Sequence, residues 1–192
     1  AGVGPIEMRG RISSLLPAAI ATFGFEAKMS TFDDFGLVTF LGCRPYPTSL
    51  GWMWGPALGR RLYKHHWCLR PPTGVYTWLR AVAAAELRAF PFLPALRDTN
   101  AYVLRESAGV RDHVNPTHFW QQNGGLNRLD VQRAKQGCTA EATLDTYLHI
   151  SKVYDVPLEL IYHLETTLDH SRGLPLLLQH PSLEAFMRVD GM

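Results

Sequence analysis

Apolar residues recur at helical spacing over much of the chain. Val75, Trp78, Leu79 and Val82 form one stripe after Gly74, and Leu158, Ile161, Leu164 and Leu168 form another after Pro157. Intervals of three and four predict an amphipathic helix at each place. Further helices are predicted after Pro94 in PFLPALRDTNAYVLRES, across TAEATLDTYLHISKVYD, and around SLEAFM. Near the start, Ser13-Ser14 before LLPAAIATF predicts a short helix. A serine caps it, Pro17 lies in its first turn, and Gly24 sits where a left-handed C-cap belongs.

One region breaks this rhythm. FEAKMSTF, DDFG and LVTFLGCR read as strand, turn and strand, with Asp33, Asp34 and Gly36 supplying the turn chemistry. From Pro45 to Pro56 the Gly/Pro punctuation predicts a loop. PALGRRLYKHHW then reads as a helix. Arg60 with Lys64, and Arg61 with His65, are i,i+4 neighbours that gather positive charge on one side, while Leu58 and Leu62 face inward. HVNPTHFWQQNGG reads as irregular. The expected fold class is α+β and mostly α-helical: a helix and small β-hairpin in residues 1–50, then a helical bundle in 51–192.

Composition sharpens this picture. A 46% hydrophobic content over 192 residues is that of a globular chain. The net charge of +2 is uneven: residues 1–70 hold eight Lys/Arg against four Asp/Glu, and the remainder eleven against thirteen. Three cysteines (Cys43, Cys68, Cys138) fit a reducing compartment better than a disulfide-stapled fold. No signal peptide is evident, and no apolar run approaches the ~18 residues of a bilayer span. Because the chain opens on Ala1, a processed product or an excised segment is as much to be expected as an intact gene product.

Between Phe35 and Ala85 there is no Asp or Glu, yet the segment carries Arg44, Arg60, Arg61, Lys64, Arg70 and Arg80. Tyr46, Trp52, Trp54, Tyr63, Trp67, Tyr76 and Trp78 are interleaved with them. Cations for phosphate and flat rings for bases are what a nucleic-acid surface needs. Trp78 and Tyr147 are expected in the core, whereas Trp52, Trp54 and Trp67 are placed to stack on RNA.

Other chemistry is weaker. Asp33-Asp34 reads as an acidic exposed turn, since two-metal chemistry needs a further carboxylate from another strand. His65, His66 and Cys68, like His113 and His118, lack paired zinc-ligand spacing. No GxSxG, Walker or dinucleotide loop occurs. Lys28, on the predicted first strand, reads first as an exposed strand lysine and second, if that strand borders a nucleotide site, as a proton donor to leaving pyrophosphate.

The series of helix, FGFEAK, acidic turn, GLVTFLGCRPYP and GPALGRRLYKHHW resembles the end of the palm and the start of the thumb in viral RNA-dependent RNA polymerases. It is most similar to nodavirus and tetravirus-like replicases, and HFWQQNGG is similar to a tryptophan-glycine-glycine element of their thumb. The resemblance implies a general-acid role for Lys28, with Leu41, Cys43 and Arg44 against the primer terminus. It also implies that Arg60, Arg61, Lys64, His65, Trp67 and Arg70 face the template–product RNA. The metal-binding aspartates of the first palm motifs are not in this chain. The resemblance therefore implies that it binds no cofactor itself and that Mg²⁺ belongs to the complete polymerase. Its partners would be RNA, the fingers and metal-binding palm, and further copies within a replication complex. Its place would be the host cytoplasm, at membrane-associated replication sites. The alternative is a helical protein-interaction module that never touches RNA.

Overall fold

A computed structural model describes residues 6–26, 32–64, 74–110, 137–174 and 179–191, with side chains from residue 10 onward. Among these residues the chain is mostly helical, with one two-stranded antiparallel hairpin. In order it comprises α1 (Ile6–Ala21), a 3-10 turn (Phe35–Leu37), β1 (Cys43–Thr48), β2 (Gly51–Pro56), α2 (Leu58–Lys64), α3 (Val75–Ala89) and α4 (Pro94–Glu106). Three more helices follow: α5 (Leu144–Tyr154), α6 (Leu158–His170) and α7 (Pro181–Val189). The α+β class read from the sequence holds at this level.

The predicted second strand does not form across residues 37–42, and residues 27–31 of the predicted first strand lie outside the described residues. Asp33 and Asp34 do not join two strands; Asp34 Oδ1 accepts the Gly36 amide at 2.8 Å and caps the 3-10 turn. Phe40 makes a single bridge to Cys43, and Leu41 and Gly42 at φ 51° and 75° reverse the chain. The strands occupy the stretch expected to be a loop, in register from Cys43 opposite Pro56 to Thr48 opposite Gly51. Pro45 and Pro47 fall on alternate residues, the spacing at which an N–H points away from the single partner strand. Their missing donors therefore cost the ladder nothing. A boundary at residue 50 falls inside the hairpin turn, between β1 and β2.

Period-2 alternation then sorts the hairpin's faces. Tyr46 and Met53 pair on the inner side, where Tyr46 is fully buried against Phe92 at 6.5 Å between centroids. Trp54 opposite Pro45, and Trp52 opposite Pro47, lie on the outer side. The turn is clamped from the far end of the sequence: Ser49 N–H donates to the Glu141 carbonyl and Glu141 N–H donates to Ser49 Oγ, at 3.0 and 2.9 Å.

Helix signals fared better. Pro94 opens α4 as its first residue, and a reciprocal Thr143–Thr146 capping box opens α5. Ile161, Leu164 and Leu168 are buried as their stripe predicts. In α3 the stripe is rotated, with Leu79, Ala83 and Glu86 buried and Val75 exposed. α1 starts earlier than expected and runs through both serines. Ser14 Oγ donates back to the carbonyls of Gly10 and Arg11, so its hydroxyl does not compete for the helix start.

The core gathers Leu58, Leu79, Phe92, Leu93, Leu96, Tyr102, Ile150, Tyr154, Leu164 and Phe186 around Tyr46. α1 contributes no buried side chain among the described residues. α2 and α7 approach backbone to backbone: a Cβ added at Gly59 would run into the Phe186 carbonyl.

Candidate nucleic-acid interface

The basic helix α2 is seated by its amino end. Leu58 N–H donates to the Tyr154 hydroxyl at 2.9 Å, and Gly59 N–H donates to Asp190 Oδ2 at 2.8 Å. These are amides that a helix start leaves without intrahelical partners, and a carboxylate there also meets the positive end of the helix dipole. Tyr154 in turn donates to Asp190 Oδ2 at 3.0 Å, while Arg44 donates to Asp190 Oδ1 through Nε and Nη2 at 3.3 and 3.1 Å. The Arg44 guanidinium also lies over the Tyr154 ring, 5.6 Å from its centroid. Burial, with the Asp190 charge next, pushes the Tyr154 hydroxyl well above its ordinary value, so it remains a donor.

The cations of the acid-free segment therefore divide. Arg44 is buried and committed to Asp190. Arg61 pairs with the buried Glu86 of α3, whose other oxygen accepts from Asn100 Nδ2 at 3.2 Å. Arg80 donates to the Leu104 and Ser107 carbonyls, joining α3 to α4. Arg60 and Lys64, one turn apart, are exposed and form no ion pair among the described residues. The expected single positive side of α2 is thus narrower, because Arg61 turns inward to Glu86. Lys28, His65, His66, Trp67, Cys68, Arg70 and the HFWQQNGG element lie outside the described residues.

Leu41 projects from the reversal before β1 and is 87% exposed; Cys43 is half-buried. The Arg60 side chain runs close to Gly42, so the reversal and the outer face of α2 adjoin. On the hairpin's outer face Trp52 and Trp54 are 50% and 42% exposed. Phe35 meets both edge-on, at 5.4 and 6.2 Å between centroids. His149 of α5 packs edge-on against Trp52 and Tyr46. Burial pulls the His149 imidazole below its ordinary value, so it is neutral at physiological pH. Trp78 and Tyr147 pack against the core, as expected.

Asp34, beyond capping its own turn, accepts from Lys152 Nζ of α5 at 2.7 Å. The Lys152 hydrogen bond and then the Gly36 amide hold its carboxyl below the usual range. Among the described residues no three His, Cys, Asp or Glu side chains cluster as a metal site, and no helix is long and apolar enough to cross a membrane. Sequence reasoning missed Asp190, Tyr154 and His149. No local motif marks them, because each acts on an element distant in sequence. No family model, curated protein or solved structure matches this chain.

Proposed function

We propose that this chain is the C-terminal palm edge and thumb of a viral RNA-directed RNA polymerase, holding primer and product RNA while aspartates outside the chain carry out nucleotidyl transfer. The observation that carries the reading is the solvent face of α2. Arg60 and Lys64 stand there without carboxylate partners among the described residues, next to a hairpin that presents two half-exposed indoles. Phosphate contacts from the two cations position the backbone, and Trp52 and Trp54 offer faces to unpaired bases.

In this reading the β1–β2 hairpin and the Leu41–Gly42 reversal border the primer terminus. Arg44 supports that border from beneath through Asp190 instead of meeting RNA. Mg²⁺ belongs to the metal-binding palm, and Lys28 supplies the proton for departing pyrophosphate. Replication complexes at host cytoplasmic membranes are the corresponding place of action.

The second reading, a protein-interaction module, is favoured by α1, which exposes Ile12, Leu15 and Leu16 beside Phe23 and Phe25. Photocrosslinking to oligonucleotides carrying halogenated uridine separates the two. Adducts at Trp52 or Trp54 support RNA holding; adducts no more frequent than those of an unrelated protein favour the interaction module.

A further inference from the structure

His163 on α6 and His180 at the start of α7 form a hydrogen-bonded pair, Nδ1 to Nε2 at 2.9 Å, with their rings 5.1 Å apart and tilted by 26°. His180 is almost fully buried, and its second nitrogen is already used: Nδ1 accepts the Ser182 amide at 3.2 Å and caps α7. An amide can only donate, so Nδ1 of His180 carries no proton. Its Nε2 must then hold the hydrogen and give it to His163 Nδ1, which must be bare.

Two rings arranged this way have room for no further proton between them. A proton on His163 Nδ1 sets N–H against N–H across the pair. A proton on His180 Nδ1 sets N–H against the Ser182 amide and removes the cap. We propose that the His163–His180 pair is a pH-sensitive latch that holds the first turn of α7 on α6 when both rings are neutral and releases it on proton uptake.

Among the described residues no carboxylate bonds to either ring. Glu159 lies one turn before His163 on α6, and Glu184 one turn after His180 on α7. On the faces of α6 toward α4 and α5, Glu165 is engaged with Arg97 and Tyr147, and Asp169 faces Arg105. At the far end of α7, Asp190 is held by Arg44, Gly59 and Tyr154. Residues 175–178, which precede the cap, are Pro-Leu-Leu-Leu and bring no titratable side chain. Burial and then the neighbouring His163 pull the His180 imidazole below its ordinary value. Its contribution to docking is therefore present above about pH 6.5, the usual unfolded value, and is lost as the pH falls through the lower folded one.

The latch is independent of RNA binding, so its test needs only the full chain. Amide exchange, corrected for intrinsic rates, should show Ser182 protection falling on the order of tenfold from pH 7.5 to 5.0, while Ile150 in α5 keeps its protection. H180N supplies a side-chain oxygen that caps without titrating, and should abolish the fall. Nitrogen shifts of the wild-type imidazole should show His180 as the Nε2–H tautomer at neutral pH. The opposite tautomer, flat wild-type protection at Ser182, or an undiminished fall in H180N would each overturn the proposal.

Discussion

Arg44 and Asp190, 146 positions apart, meet in a buried ion pair at 3.1 Å. The same carboxylate binds the Gly59 amide and the Tyr154 hydroxyl, so one side chain near the end of the chain ties β1, α2 and α5 together. Basic residues in an acid-free segment need not be free cations; their partners can arrive from far away.

Removing that carboxylate strands Arg44 in a buried position and exposes the α2 start to loss of its cap. D190A is expected to lower unfolding free energy by about 3–5 kcal/mol, read by urea denaturation. D190N, which still offers an oxygen to the Gly59 amide, should cost less. Equal stability for D190A and wild type would mean that Asp190 is not the clasp.

The Arg97–Glu165–Tyr147 cluster carries a pH signature. Burial, with the Asp98 charge next, pushes the Glu165 carboxyl up to about 7. A carboxyl whose folded value is raised stabilises the fold fully below its unfolded value near 4.5, and that contribution disappears as pH rises through 7. E165Q is permanently neutral and still accepts from Arg97 and Tyr147. It should be more stable than wild type by about 1 kcal/mol at pH 8 and no more stable at pH 4, in denaturation at the two pH values. A gain of the same size at pH 4 would contradict the assignment.

Where local chemistry decided an element, the sequence was legible. Pro94 in the first position of α4 and the Ile161, Leu164 and Leu168 stripe of α6 needed nothing from elsewhere. The β1–β2 hairpin was missed because Pro45, Pro47 and Pro56 read as breakers, a penalty that vanishes when each strand has one partner and the prolines alternate. The candidate site was legible only as a composition. Arg44 and Arg61 could not be told from Arg60 and Lys64, since their partners are Asp190 and Glu86, both beyond the acid-free window.

That division of the arginines is also the most direct test of RNA holding. RNA affinity measured across a salt series gives a slope of log affinity on log salt that counts phosphate contacts, at about 0.7 to 0.9 per contact. Replacing Arg60 and Lys64 together by Ala should flatten the slope by about 1.5 units, whereas R61A should leave it unchanged and lower stability by about 1–3 kcal/mol. An unaltered slope in the double variant, with the fold intact, would contradict the claim that this face of α2 grips RNA.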